Sequence, residues 1–337
     1  MMHTRHRLSI LMPFSALLLV LTLILGACGS STTTGSSTSS PGSLQNVSIG
    51  LGYIPDIQFA PFYVAQSQGY YKAAGLNVTL QNGIVNDVIG SMVLGHATFA
   101  FATGDEELVA RSKNLNVIDV ATIYQKYPVS LIVPANSPIH TLADLKGHSI
   151  GEPGPYGATH VGLLAFLSYA HLTQSDVNIK EIGFNQVAAL LGHKVDAVMG
   201  YSNNEPLQLE AHNFPVRTFN ISDYQSLISN GIITTTQTWQ SNPQMVKNFV
   251  QATIKGVQYT IAHPQEAVQI SAKYIPGLNS TQALAELNAT IPIWESHNPF
   301  GYNDPATWQA MAQFLVAQKI IPPVQNLSAA YTNIAGA

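Results

Sequence analysis

Charge is scarce in this chain. Only 9% of its 337 residues are Asp, Glu, Lys or Arg, the formal net charge is −4, and the basic residues form no cluster. A nucleic-acid binder must neutralise several phosphates, so that class is excluded. Cysteine is scarcer still: Cys28 is the single one, which leaves no cysteine-rich metal motif. His140, His148, His160, His171 and His193 are scattered, without metal-ligand spacing to a carboxylate, as surface or internally satisfied histidines would be. There is no Gly-x-Ser-x-Gly elbow and no P-loop, and the glycines around Gly151 match neither. These absences disfavour catalysis and imply no cofactor and no metal. What remains is a chain 46% hydrophobic, long enough to bury a core and to divide into two lobes.

The first residues set the compartment. Arg5, His6 and Arg7 make a positive start, and Leu8 to Leu25 form an apolar stretch interrupted by Pro13. Leu25-Gly26-Ala27-Cys28 then resembles a lipobox, where a bacterial lipoprotein leader is removed and the cysteine is lipidated. Residues 1–27 therefore read as a signal peptide and not as a membrane span of the mature protein. Their removal takes two arginines and no acid, making the chain more negative by two. Residues 28–43 read as the lipidated Cys28 followed by a Ser/Thr/Gly tether, which cannot bury apolar surface. The expected location is the extracytoplasmic face of the cell membrane, held by lipid.

The body alternates strand and helix signals. Val47 to Leu51 reads as a buried strand ending at Gly52, and a helix starts at Pro61, proline being at home in a first helical turn. Between them Pro55 and Pro61 keep the backbone irregular. Tyr53, Phe59, Phe62 and Tyr63 fall in or beside this turn at the carboxyl end of a strand, where open α/β sheets bind ligands. Further strands are expected at 76–80, 98–102, 117–124 and 129–133, with helices at 87–94 and 106–112. A second series follows, with strands from Ser149 and at 177–182 and 196–199, and helices at about 157–170 and 185–192. Extended segments at 215–220 and 231–236 precede a mostly helical run from Pro243, broken at His263-Pro264, Pro276-Gly277 and 298–304. Two such series imply two lobes and a hinge, the chain crossing near Tyr127–Leu131 and returning near Gly231–Thr235. Lobe 1 would hold 44–128 and 234–337, lobe 2 129–233, and the ligand would sit in the cleft between them.

Two stretches carry a family resemblance: Gly52-Tyr-Ile-Pro-Asp-Ile-Gln-Phe-Ala-Pro-Phe-Tyr-Val-Ala65 and Gly69-Tyr-Tyr-Lys-Ala-Ala-Gly-Leu-Asn-Val78. Thr141-Leu-Ala-Asp-Leu-Lys-Gly147 adds to it, and Gly200-Tyr-Ser-Asn-Asn-Glu-Pro206 resembles the subgroup associated with pyrimidine or riboflavin uptake. Over roughly residues 47–260 the chain resembles bacterial ABC-importer solute-binding lipoproteins that bind thiamine pyrimidine precursors. The resemblance implies an α/β fold of the periplasmic-binding type (class II), each lobe a mixed sheet flanked by helices. It also implies a monomer that captures a small planar heterocycle, an aminopyrimidine first and riboflavin second, and delivers it to an ABC permease. The contacts would come from strand-end turns: Tyr53, Asp56, Gln58 and Phe59, then Asp87 beside Asn86, then Thr103 and Asp105, with Tyr156, Tyr201, Asn204 and Glu205 in the second lobe.

Each of these residues also has a plainer use. Asp105 suits a helix N-terminus, Asn203 and Asn204 suit a turn, and Tyr156 follows a Gly/Pro loop. Glu205 is the foremost candidate, since a carboxyl group can meet an aminopyrimidine edge in a two-point hydrogen bond. A yeast pyrimidine synthase is similar to this family in fold, but there the resemblance implies iron, a histidine and a cysteine-rich motif that this chain lacks. Alkylsulfonates, bound by related proteins, fit poorly with turns that contain no arginine.

Overall fold

Apolar runs alternating with short helical stretches can bury both faces of a sheet only by laying helices on each side. The computed structural model describes residues 43–84 and 86–334, and in it this arrangement occurs twice. The leader, Cys28 and all but the last residue of the tether lie outside the described residues.

The first series comprises β1 (Gln45–Gly50), α1 (Ala60–Ser67), α2 (Tyr70–Ala73), β2 (Leu76–Gln81), α3 (Val88–Val93), β3 (Phe99–Thr103), α4 (Gly104–Ser112) and β4 (Val117–Thr122). The second comprises β5 (Val129–Pro134), β6 (Ser149–Glu152), α5 (Gly157–Tyr169), β7 (Asn178–Glu181), α6 (Gln186–Leu191), β8 (Ala197–Tyr201), α7 (Glu205–Ala211) and β9 (Val216–Asn220). The chain then returns through β10 (Asn230–Thr235) and continues as α8 (Thr236–Ser241), α9 (Pro243–Ala262), α10 (Pro264–Ser271), α11 (Ser280–Trp294) and α12 (Pro305–Ala317). The segment Leu142–Leu145 is a 3₁₀ turn.

One sheet has the order β2-β1-β3-β10-β4 and the other β7-β6-β8-β5-β9. In the first, β1 is parallel to β2 and β3, while β10 is antiparallel to β3 and β4. In the second, β6 is parallel to β7 and β8, while β5 is antiparallel to β8 and β9. Each lobe is thus a mixed sheet flanked by helices. The segment expected near the return crossing, Gly231–Thr235, belongs to β10 of the first sheet, where Asn230–Ile233 pair with β3 and Gly231–Thr235 with β4.

Aromatic packing holds the first lobe. Phe249 of α9 stacks on Phe99 of β3 at 4.1 Å and on Tyr71 of α2 at 5.3 Å. Phe62 and Tyr63, from the turn region, are buried here as well, Tyr63 stacked on Tyr274 at 4.5 Å. The second core gathers Leu131, Ile150, Phe166 and Met199, and it extends to Leu108 of α4 and to Trp308, Met311 and Leu315 of α12. The C-terminal helices therefore do not all serve one sheet. Helices α9 to α11 cover the first core, whereas α12 packs into the second.

Candidate ligand-binding site

The carboxyl ends of the central strands in both sheets converge on one cavity of about 160 Å³. From the first lobe it is lined by Leu51, Gly52, Tyr53, Gln58, Phe59, Asn86, Phe101, Glu106 and Asn230, and from the second by Pro153, Tyr156, Gly157, Thr159, Phe184, Gln186, Tyr201, Asn204 and Glu205. Tyr156 and Phe184 are more than a third exposed, so the cavity reaches solvent on their side.

Local structure explains how these residues arrive there. After β1, Gly52 takes a left-handed conformation (φ 71°) that turns the chain over the strand end. A 3₁₀ turn, Ile57–Phe59, then follows, capped by Asp56, whose Oδ1 accepts the Gln58 N–H at 3.0 Å. Phe59 packs edge-on to Phe101 at 6.1 Å, which gives the cavity an aromatic floor. In the second lobe, β8 leads through Ser202–Asn204 into α7, which opens at Glu205.

Seven residues expected at the site line the cavity: Tyr53, Gln58, Phe59, Tyr156, Tyr201, Asn204 and Glu205. Four others hold structure together outside the lining. Asp56 caps the 3₁₀ turn, and Asp87 caps α3 by accepting the Gly90 N–H at 2.7 Å. Thr103 caps α4, and Asp105 is buried, accepting the Tyr127 hydroxyl at 2.7 Å. Asn86, beside Asp87, lines the cavity in its stead.

The sequence reading passed over Glu106, Phe184 and Gln186. A signal for Glu106 was available: Thr103 and Glu106 have the three-residue spacing of a capping box. Phe184 sits in the turn after β7 and Gln186 opens α6 just beyond it, a third strand-end segment of the second lobe that carries no distinctive composition. Among the histidines, His160 pairs with buried Glu152 at 3.0 Å and His148 with Asp196 at 3.4 Å; neither lines the cavity.

Two carboxyl groups dominate the chemistry. Glu205 Oε2 accepts the Tyr201 N–H at 2.7 Å, which lays the carboxyl group against the end of β8. Gly200 permits this approach, since a β-carbon there would stand 2.8 Å from Oε2. Burial, with smaller contributions from Asp56 and Glu286, raises the Glu205 pKa to about 7. Glu106 is raised to about 7 as well, by burial and then by neighbouring Asp105. Tyr53, beside them, is pushed up to about 12 by burial and by Glu205. No Lys, Arg or His lines the cavity among the described residues. A carboxyl group near its midpoint at neutral pH can donate as well as accept, so it can pair with an amide-like or amidine-like edge through two hydrogen bonds.

Residues 56–267 match the family model described as NMT1/THI5 like. The chain belongs to the NMT1/THI5-like family. Within it, the riboflavin-binding protein RibY of Chloroflexus aurantiacus is 33% identical over 94% of this chain and 95% of its own length. The formylaminopyrimidine-binding protein of Halalkalibacterium halodurans is 25% identical over 89% of this chain and 92% of its own. A 4-amino-5-hydroxymethyl-2-methylpyrimidine phosphate synthase of Legionella pneumophila is also 25% identical, over 85% of this chain and 91% of its own. The NMT1/THI5-like chain thus has relatives that bind and relatives named as synthases, and the likeness runs higher to a binding protein. Its fold is that of periplasmic binding proteins. The aliphatic sulphonate binding protein SsuA of Escherichia coli superposes with a TM-score of 0.71 at 15% identity, covering 86% of this chain and 97% of its own. The Candida albicans CA3427 product, which has the generic periplasmic binding protein fold, gives 0.65 at 17%, covering 86% and 97%. A substrate-binding role is what these likenesses support.

Proposed function

We propose that this chain is the solute-binding component of an ABC importer and that its lobes close on a planar heterocycle, riboflavin foremost. One observation carries the reading: a cleft cavity between two strand-end faces combines an aromatic lining with two carboxyl groups that can each donate and accept near neutral pH. A flavin presents both a large aromatic face and an imide edge, N–H flanked by carbonyls, which a protonated Glu205 would meet. The 33% identity to RibY over nearly the whole chain supports the flavin over the aminopyrimidine favoured by the motifs alone.

The cavity volume favours a second reading. An engineered apolar cavity of about 150 Å³ holds benzene, so about 160 Å³ is room for a single substituted ring. An aminopyrimidine fills that space. A tricyclic flavin needs the lobes further apart, or its outer ring and ribityl chain in the exposed sector by Tyr156 and Phe184. Closure would turn about the two crossings, between Thr122 and Val129 and between Asn220 and Asn230, and would be driven by contacts the ligand makes only in the closed state.

The same reading makes Cys28 a lipid anchor, residues 28–43 a tether, and the protein a monomer at the extracytoplasmic membrane face that hands its ligand to a permease. Catalysis is not part of it: the likeness runs higher to a binding protein than to the relatives named as synthases. Titration of the full chain in detergent with riboflavin, read by flavin fluorescence, and with aminopyrimidines, read by thermal shift, tests the proposal. A ligand at a hundred times its Kd adds about 2.7 kcal/mol to the folded state. A response to riboflavin supports the first reading, and a response to aminopyrimidines alone selects the second. Silence from both classes sinks the heterocycle assignment.

A further inference from the structure

Three consecutive residues open α4, and each meets something different. Gly104 donates its N–H to the Ile228 carbonyl at 3.3 Å, in the second crossing between the lobes. The approach is so close that a β-carbon on Gly104 would stand 2.6 Å from the Ile228 side chain. Asp105 accepts the hydroxyl of Tyr127 at 2.7 Å, in the first crossing, and both residues are buried. Glu106 lines the cavity. The segment that carries a carboxyl group into the ligand space is therefore bonded, at the two residues before it, to both crossings. Tyr127 also stands between the two walls. Its hydroxyl oxygen is 3.4 Å from the carbonyl of Ala158, whose neighbours Gly157 and Thr159 line the cavity from the second lobe. Breaking the Tyr127–Asp105 bond would leave a buried carboxyl oxygen without its donor, so the two residues move together.

We propose that Tyr127 is a positioning residue which, through Asp105, sets where Glu106 stands in the cavity, so that the disposition of the lobes and the ligand contact at Glu106 are coupled. The inference rests on the solute-binding reading above and deepens it by naming the link between hinge and site. When the lobes turn about the crossings, Tyr127 and Ile228 move with them, and Gly104 and Asp105 follow. Glu106, next in the chain, then meets a ligand better in one disposition of the lobes than in the others. A ligand that pairs with Glu106 favours that disposition in return, because coupling of this kind is reciprocal. Tyr127 itself is not part of the cavity lining.

The test is a double-mutant cycle on the full chain in detergent, with riboflavin read by flavin fluorescence and 4-amino-5-hydroxymethyl-2-methylpyrimidine by calorimetry. Tyr127→Phe keeps the ring and removes the hydroxyl. It should weaken binding about tenfold, chiefly through faster release. In a Glu106→Ala background the same substitution should change affinity by less than about twofold, as expected of residues that act through one another. Tyr71→Phe is the control for stability alone. It removes a buried hydroxyl that bonds Thr253 Oγ1 at 2.9 Å in the first core, outside the cavity lining. That variant should melt at a lower temperature with its binding unchanged. An equal loss from Tyr127→Phe with and without the Glu106 side chain overturns the inference, and so does unchanged binding by Tyr127→Phe. Failure of the unaltered chain to bind either compound counts against the solute-binding reading instead. Hydrogen exchange of the unliganded proteins then decides this one, as it does if Glu106→Ala abolishes binding. Tyr127→Phe should speed exchange of the α4 amides well beyond any change in Tyr71→Phe, and equal exchange in the two variants overturns the inference.

Discussion

The rings of Tyr53 and Phe184 meet across the cleft, their centroids 5.6 Å apart and their planes tilted by 57°. Tyr53 leaves the first strand of one lobe, Phe184 follows the edge strand of the other, and both line the cavity. For a ligand to leave by parting of the lobes, this contact must break. An aromatic pair of this kind contributes about 0.5–1.5 kcal/mol beyond its buried area. Phe184→Ala should therefore speed ligand release about two- to tenfold while leaving association nearly unchanged, as measured by stopped-flow flavin fluorescence. Phe184 is 39% exposed, so the melting temperature should move little. An unchanged release rate would show that this contact does not hold the ligand in.

Glu205 should make binding pH-dependent. Its pKa is raised to about 7, and only the protonated form presents the donor–acceptor pair that an imide or aminopyrimidine edge requires. Affinity should accordingly be greatest near pH 6 and fall as pH rises through 7 toward 8. Glu205→Gln, a permanent donor–acceptor, should bind across that range with a flattened profile, while Glu205→Ala should lose about a hundredfold or more, because a buried ligand group goes unpaired. Calorimetric titration between pH 6 and 8 reads all three, and an equally steep profile in Glu205→Gln would dismiss this role.

Stability without ligand should also depend on pH, with a definite sign. Glu106, Asp119, Glu205 and Glu286 all have folded pKa values raised to about 7, burial being the first cause for each. Between the ordinary carboxyl range and pH 7 the folded chain holds more protons than the unfolded chain, so stability rises as pH falls through 7. Exposed Asp144 and half-buried Asp176, lowered by hydrogen bonds in their capping boxes, act oppositely and lose their contribution in stronger acid. The melting temperature should thus be several degrees higher at pH 5.5 than at pH 8 and should fall again in stronger acid. A melting temperature that climbs steadily from pH 5.5 to 8 would contradict this.

A buried hydrogen bond ties the second lobe to the C-terminal helices. Asn203 Nδ2 donates to Thr290 Oγ1 at 2.9 Å, and Thr290 Oγ1 donates to the Glu286 carbonyl at 2.7 Å. The Asn203 Oδ1 has no partner among the described residues. Thr290→Val keeps the shape and strands the Asn203 amide, which should cost about 1–3 kcal/mol. Chemical denaturation should show the midpoint falling at constant slope, and a loss well below 1 kcal/mol would show that water already serves the amide.

Much of the fold is legible in the sequence because its signals are local. Strands that end up buried on both faces, such as Phe99–Thr103, read as unbroken apolar runs; Pro61, Pro243 and Pro305 mark first helical turns; and Asp87 and Thr103 announce caps. The same locality misleads at the site. Asp56, Asp87, Thr103 and Asp105 stand beside the right strand ends, yet each is consumed by a cap or a buried hydroxyl. Adjacent Glu106 reaches the cavity, because successive residues on a helix point about 100° apart and only packing against β4, α5 and α12 sets the rotation of α4.

The amino-acid sequence by itself determined the alternation of strands and helices, the aromatic turn after β1, the poverty of positive charge and the placement of the one cysteine in a lipobox-like context. Tertiary structure alone decided that α12 joins the second core, that β10 is an inner strand of the first sheet, and that Phe184 meets Tyr53 across the cleft. It also decided which acid of the pair Asp105 and Glu106 faces the ligand space. Composition and periodicity act over a few residues, whereas a site between two lobes is made from groups some hundred residues apart. The shared burial of those groups exists only once the sheets have closed over it.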